Sequence, residues 1–455
     1  MIDYDEFIRI KSHSKKPERA ELKFTTGKEK DFQLYLLEFL LGETRAACFA
    51  DTGMGKTLMQ LVWAKNVYLL TGKPVLGLAP LLVLNQTALE AEKFGIDGVR
   101  VARDGIVSTP ITITNYEQLS KFDPKDFGGV FVDESGILKS MDGVTRNAII
   151  AFMRHIEYRA LFSATPSPND YTELGSSSEA LGIMGQTSML SKFFNNGRDT
   201  TSERRHFGNA PKWSFRGHAE KLFWPWVSGW ARAIRKPSDI GFSDEGYILP
   251  DPVINHHKID VPPPEGMLFC LPTANPNEQK KEIKRTIQER CETVAELTNH
   301  DRPFISFCNL NPEAKLLKKL IPDAVEVSGT DSDDAKIEKI SAFVSGQVRG
   351  LITKPKIAAW GLNFQHAAHL TYFPNHSYEQ WYQSLRRCHR YGQQNVVVAD
   401  VVYTPGEQRI VDNMESKSRK AEDMYRQLVA CMNNPMYLSQ TEANNNFEAP
   451  PWLSV

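Results

Sequence analysis

The sequence has 455 residues, of which 41% are hydrophobic and 24% charged, with a formal net charge of −1 and six cysteines that form no C-x-x-C pair. The length predicts about three domains, the near-zero charge excludes a global attraction to nucleic acid, and the cysteine spacing argues against a zinc site and a disulfide framework. Because there is no apolar signal core at the N-terminus and no run of about 18 apolar residues, we expect a cytoplasmic protein, bacterial or in a host cell, without membrane contact.

Ordered structure is predicted to begin with a helix over residues 34–40. Gln33 directly precedes it and lies upstream of the next motif at the distance where nucleotide enzymes often place a glutamine that reads adenine. A single glutamine is not specific for this role, but it gives a candidate base contact.

A phosphate-binding loop is the central motif of the chain. The apolar residues 46–50 lead into the run Asp51-Thr52-Gly53-Met54-Gly55-Lys56-Thr57. The glycines allow backbone N–H groups to curl around a polyphosphate, Lys56 reaches the outer phosphates, and Thr57 offers a hydroxyl to Mg²⁺. Ala50 stands where the motif usually has glycine. A chance glycine-rich turn is the alternative, but the flanking strand and helix favour a nucleoside triphosphate site.

Further buried strands are predicted at residues 74–80, 111–116, 129–134 and 159–166, and they alternate with helices. Such alternation predicts an α/β fold with a parallel sheet, whose ligands gather at the carboxyl ends of the strands. Asp133 and Glu134 end one of these strands. An aspartate there can hold Mg²⁺, and the next glutamate can orient or deprotonate an attacking water. The alternative is an acidic turn or helix cap.

Residues 172–264 lack this alternation and are interpreted as a mainly helical insert and linker. Between Arg198 and Lys236, nine Lys or Arg and four Trp occur with three acidic residues. Basic residues among aromatic ones suit nucleic acid. The alternative is that the aromatic side chains form a core while the basic ones are solvated.

The alternation returns in residues 265–433, which predicts a second lobe, followed by a polar tail at 434–455. A helix predicted from Tyr378 to His389 places Gln383, Arg387 and Arg390 on one face. Arginines at such spacing are commonly solvated. However, an arginine from a second lobe can also neutralise the charge that develops on a γ-phosphate held by the first lobe.

Taken together, these motifs resemble the SWI/SNF-type branch of the superfamily-two helicases. The run from Gln383 to Gln393 is similar to the family's Q-x-x-x-R-x-x-R-x-G-Q, residues 361–363 and 114–117 match this branch, and residues 163–166 resemble its third motif. The resemblance implies two RecA-like lobes, residues 1–171 and 265–433, with ATP and Mg²⁺ in the cleft between them. It also implies a helical protrusion at 172–264 and duplex DNA tracked across both lobes.

The resemblance assigns roles to individual residues. It implies catalytic roles for Lys56, Glu134, Arg387 and Arg390, and Mg²⁺ ligation by Thr57 and Asp133. The implied ATP-binding set is Gln33, Thr52, Gly53, Met54, Gly55, Lys56, Thr57, Gly361 and Gln383. The implied DNA contacts are Pro80, Asn115, Tyr116, Thr165, Asn309, Thr353 and Lys356. The sequence departs from the family pattern at Gly136, where histidine is usual, and at Thr87 and Trp360.

The sequence therefore predicts an ATP-dependent motor that moves along duplex DNA in replication, recombination or remodelling of protein–DNA complexes. We expect a monomer that meets replication or recombination proteins as partners. Two alternatives stay open. One is a helicase that separates the strands of DNA or RNA, and the other is a replication or recombination adaptor that uses ATP only as a switch.

Overall fold

The computed structural model describes residues 21–81, 83–139, 143–196, 213–266, 270, 272–273, 276–358 and 364–433. Within these ranges the chain forms two parallel sheets, each flanked by helices, and one short antiparallel ribbon. None of the helices described there combines the length and the hydropathy needed to cross a membrane.

The first lobe is built on a seven-stranded parallel sheet. The strands up to residue 234 are β1 (Arg45–Ala50), β2 (Val75–Ala79), β3 (Val99–Val101), β4 (Ile111–Asn115), β5 (Gly129–Val132), β6 (Tyr158–Phe162), β7 (Phe194–Asn196), β8 (Trp213–Phe215) and β9 (Ala231–Ile234). β7 and β8 pair as the antiparallel ribbon, and the others form the sheet in the order β3-β4-β2-β5-β6-β1-β9. All residues of β2, β4 and β5 are buried, as expected for parallel strands covered on both faces.

Helices of the first lobe connect and cover these strands. They are α1 (Asp31–Gly42), α2 (Lys56–Thr71), α3 (Leu84–Phe94), α4 (Val144–Met153), α5 (Leu174–Leu181), α6 (Gln186–Phe193) and α7 (Glu220–Ser228).

The segment interpreted as an insert contributes to the first sheet, because β9 pairs in parallel with β1. Phe223, Trp224 and Trp230 of this segment are buried in the same hydrophobic core as residues of that sheet. Among the described residues, these three aromatic side chains therefore form part of a hydrophobic core, as the alternative interpretation of this segment predicts. Residues 197–212, with four of the nine basic residues, lie outside the described ranges.

The second lobe has a six-stranded parallel sheet. Its strands are β10 (Val253–Lys258), β11 (Phe304–Phe307), β12 (Ala324–Val327), β13 (Gly350–Thr353), β14 (His369–Tyr372) and β15 (Val398–Tyr403), in the order β10-β15-β14-β11-β13-β12. Its helices are α8 (Pro276–Arg285), α9 (Ile287–Leu297), α10 (Asn311–Leu320), α11 (Asp333–Val344), α12 (Pro355–Ala358), α13 (Tyr378–Cys388) and α14 (Gln408–Met432). The predicted α/β class with two parallel sheets is thus confirmed.

The last helix, α14, packs in both lobes. Val411 and Met414 are buried in the core of the second lobe, whereas Met424 and Leu428 are buried in the core of the first. The hydroxyl of Tyr425 also donates a hydrogen bond to the carbonyl of Ala164 at 2.8 Å. One helix of 25 residues therefore joins the two cores.

Acidification should destabilise the fold. Burial lowers the pKa of His300, His366, His376 and His389 below the usual histidine value. At these four groups the unfolded chain binds more protons than the folded one below about pH 6.5, so their contribution to the free energy of unfolding falls as the pH drops. The raised pKa of Glu134 acts in the opposite direction, but the histidines outnumber it four to one. We expect a lower urea midpoint at about pH 5.5 than at about pH 7.5. A midpoint that is unchanged or higher at the lower pH would contradict this prediction.

Candidate functional site

The predicted motifs meet at one cavity of about 550 Å³ between the lobes. It lies at the carboxyl ends of β1 and β5, opposite the helix α13. The predicted residues that line it are Gln33, Thr52, Gly53, Gly55, Lys56, Thr57, Asp133, Glu134, Gln383, Arg387 and Arg390. Met54 is buried within the loop, and Gly361 lies outside the described residues.

The phosphate-binding loop has the backbone that its sequence predicts. Gly53 and Gly55 have φ angles of 88° and 77°, in the left-handed region that favours glycine. A Cβ atom on Gly55 would also lie 2.2 Å from Nε2 of Gln33. The ammonium of Lys56 donates hydrogen bonds to the carbonyls of Ala50, at 2.9 Å, and Asp51, at 3.3 Å. The loop therefore folds around its lysine at the N-terminus of α2.

The predicted adenine contact, Gln33, is bonded to the protein backbone. Its Nε2 donates to the carbonyl of Met54, and its Oε1 accepts from the N–H of Lys30, both at 2.9 Å. Because a side-chain amide has two N–H donors and two acceptor lone pairs, one donor and one lone pair remain for a ligand. Gln33 therefore fixes the position of the loop and still faces the cavity.

The acidic pair is held by neighbours from three separate segments of the first lobe. Nε2 of Gln60 donates to Oδ1 of Asp133 at 2.7 Å, and the hydroxyl of Tyr116 donates to the main-chain carbonyl of Asp133. Glu134 has a φ angle of 48°, a strained backbone that often marks a functional residue. The hydroxyl of Ser163 lies 3.4 Å from Oε2 of Glu134. These contacts place both acids at the end of β5, facing the cavity.

Acidic side chains of the first lobe and basic side chains of both lobes lie close enough in the cavity to shift each other's pKa values. Burial, partly offset by Lys56 and reinforced by Asp133, raises the pKa of Glu134 to about 7. Burial and the charge of Arg390 lower the pKa of Arg387 to about 10, an effect that Glu134 and Asp133 oppose. A carboxyl group with a pKa near neutrality suits a proton acceptor. The arginine is therefore near enough to the acids for their charges to act on each other.

Two ion pairs that join α13 to the first lobe were not predicted from the sequence. Asp51, which is 2% exposed, pairs with Arg386 at 2.7 Å and accepts a hydrogen bond from Tyr382 at 2.5 Å. Lys139 pairs with Glu379 of α13. The spacing of Tyr382 and Arg386, four residues apart on one helix face, could have indicated a shared target. Nothing in the sequence identified that target as Asp51.

None of the seven predicted DNA contacts lines this cavity. Asn115, Tyr116, Thr165 and Thr353 are buried. Among them, Asn115 donates to Glu117 at 2.6 Å and Thr353 donates to the carbonyl of Val327 at 3.3 Å.

The other three predicted contacts are less buried. Asn309 donates to the carbonyls of Phe373 and Pro374, each at 3.1 Å. Lys356 is exposed and Pro80 is partly exposed. A nucleic-acid role for all seven residues stays a prediction.

Comparison with known proteins finds solved structures that are similar to this chain but no matching family model or curated sequence. No family model and no curated protein sequence matches the chain. A variant of S. cerevisiae Dbp5, bound to a variant of Gle1 and to IP6, is similar with a TM-score of 0.52 and 11% identity, covering 90% of this chain and 94% of that one. The Sulfolobus solfataricus SWI2/SNF2 ATPase core in complex with dsDNA has 17% identity and a TM-score of 0.40, covering 93% and 97%. The chain therefore has the fold that its sequence predicts, an α/β fold with two RecA-like lobes.

Proposed function

We propose that this protein is an ATP hydrolase that uses the movement of its two lobes to travel along duplex DNA. The observation that supports it most is the shared cavity, in which Lys56 and Glu134 of the first lobe face Arg387 and Arg390 of the second. Each lobe alone would hold only part of this set. Hydrolysis would therefore depend on how the lobes are placed.

The residues of the cavity fit ATP with Mg²⁺. The left-handed glycines expose backbone N–H groups at the start of α2, where anions bind favourably. The hydroxyl of Thr57 and the carboxylate of Asp133 are the oxygen ligands that Mg²⁺ prefers, and Gln60 orients that carboxylate. When bound, Mg²⁺ would neutralise phosphate charge.

The proposed reaction uses residues of both lobes. Glu134 accepts a proton from a water molecule whose oxygen bonds to the γ-phosphorus, and the bond to the bridging oxygen of ADP breaks. Lys56 binds the outer phosphates. Arg387 and Arg390 neutralise the charge that develops during the transfer. Because the arginines come from the second lobe, release of the products would free the lobes to separate.

The choice of duplex DNA is supported by the sequence of the closing motif, from Gln383 to Gln393, which resembles that of the duplex-DNA translocases. We propose that the lobes correspond to residues 1–171 and 265–433, with 172–264 contributing β9 to the first sheet and β10 to the second. We also propose a cytoplasmic monomer that acts with proteins of DNA replication or recombination.

The test is the ATPase rate of the purified chain without nucleic acid and with duplex DNA, single-stranded DNA or RNA. We expect duplex DNA to stimulate most, and we expect Glu134→Gln to lower the stimulated rate about 100- to 10,000-fold, because a proton acceptor is lost. Displacement of a third strand from a triplex, without unwinding of a fork, would support movement along the duplex. Fork unwinding would support the strand-separating helicase, and a rate that no nucleic acid changes would support the adaptor.

A further inference from the structure

The turn that follows the acidic pair touches the second lobe directly. This turn, Ser135–Lys139, contains Gly136, which has no side chain. A Cβ atom at Gly136 would lie 2.9 Å from Oε1 of Glu379 and 3.5 Å from the carbonyl of Thr165. The side chain of Glu379, from α13, therefore occupies the space that a side chain at position 136 would need. The two lobes are therefore in contact at Gly136, two positions after Glu134 in the sequence.

An ion pair also joins the two lobes at this contact. The ammonium of Lys139, on the same turn, pairs with Oε2 of Glu379. The side chains of Lys139 and Glu379 are 36% and 17% exposed. The pair is thus partly shielded from water, which strengthens it relative to a pair on an open surface.

The position of Glu379 on α13 connects this pair to the arginines. Glu379, Gln383 and Arg387 follow one another at intervals of four residues, so they lie on one face of the helix. Gln383 and Arg387 line the cavity, while Glu379 lies one turn before them at the N-terminus of the helix. The turn that follows the acidic pair therefore contacts the face of α13 that also carries Arg387.

We propose that Lys139 and Glu379 are positioning residues that fix α13 against the acidic pair when the lobes are closed for hydrolysis. This inference rests on the proposed function. Gly136 stands where the related motif usually has histidine, and Glu379 supplies a polar group at that place from the other lobe. The ion pair between Lys139 and Glu379 thereby connects the turn after the acids to the second lobe.

The test reverses the two charges separately and together. Lys139→Glu and Glu379→Lys should each lower kcat for ATP about 10- to 100-fold, because displacing a catalytic group by about 1 Å costs up to ~100-fold. KM for ATP should change little, since neither residue lines the cavity. The double variant, which restores an ion pair of opposite polarity, should recover most of kcat. Recovery distinguishes a paired contact from general damage to the fold.

Two controls complete the experiment. Lys420→Met removes another ion pair between the lobes, with Asp170 at 2.9 Å, and it should leave kcat nearly unchanged. Hydrogen exchange of the α13 amides checks that Lys139→Glu and Glu379→Lys keep the helix folded. Single variants with wild-type kcat, or a double variant no better than the singles, would overturn the inference while the ATPase stands. A wild-type chain without ATPase activity would overturn the proposed function as well.

Discussion

Arg387→Ala will lower the turnover of ATP about 1,000-fold or more while leaving the affinity for ATP largely unchanged. The guanidinium lies in the cavity beside the acids, on a helix of the lobe that does not carry the phosphate loop. Its main role is to neutralise charge that exists only during the transfer, so its loss affects turnover more than binding. An arginine that neutralises charge in this transition state typically raises the rate of phosphoryl transfer about 10³- to 10⁵-fold. Single-turnover hydrolysis and binding of a non-hydrolysable ATP analogue measure the two quantities separately.

Arg409 offers a matched control for this experiment, because it is an exposed arginine on α14. Its replacement by alanine should change neither quantity. Arg390→Ala should resemble Arg387→Ala, since Arg390 lines the same cavity. If either variant at the cavity chiefly weakened DNA binding and left turnover intact, the interpretation of the pair as solvated arginines would be correct.

Lys56→Ala will weaken the binding of ATP strongly and abolish measurable hydrolysis, with the fold intact. The loss of one member of a desolvated charge pair typically costs about 2–5 kcal/mol, which corresponds to roughly 30- to several-thousand-fold in Kd. The fold should tolerate the change because alanine favours the helix that begins there. The bonds lost are two contacts from the ammonium to carbonyls of the loop.

Calorimetric titration with ATP and a far-ultraviolet circular dichroism spectrum of the same sample test both parts of this prediction. Lys73→Ala provides the control, because Lys73 is exposed beyond the end of α2. Normal turnover in Lys56→Ala would show that the loop is not the site of hydrolysis.

The cavity was largely predictable from the sequence because each of its parts is local. A phosphate loop is a contiguous run with glycines at the two positions where the backbone turns left-handed. The acids follow a buried strand of four residues. Gln383 and Arg387 share a helix face, whereas the helix ends at Cys388 and Arg390 lies two residues beyond it. Parallel-sheet geometry then places the ends of the strands together. Each of these inferences uses only neighbours in sequence.

The contacts between distant residues were not predictable in the same way. Gln60 and Asp133 are 73 positions apart, and Tyr382 and Asp51 are 331 apart. The residue types alone do not select one partner among many of the same charge. Strand β9 was missed because it has only four residues in a segment without alternation, and its partner β1 is far away in sequence. The hydrogen bond from the hydroxyl of Tyr116 to the carbonyl of Asp133 likewise joins residues 17 positions apart that no sequence pattern paired.

The helix that joins the two cores limits how far this molecule can open. An α-helix of 25 residues is a rod about 37 Å long, and each of its halves is buried in a different lobe. Full separation would expose Met424 and Leu428 to water, and burying such side chains is worth about 1.5–3 kcal/mol each. The lobes can therefore rotate by bending or sliding this rod, but they cannot part freely. In the proposed motor, force developed by one lobe would reach the other through α14, and we expect the stiffness of this helix to limit the length of a step.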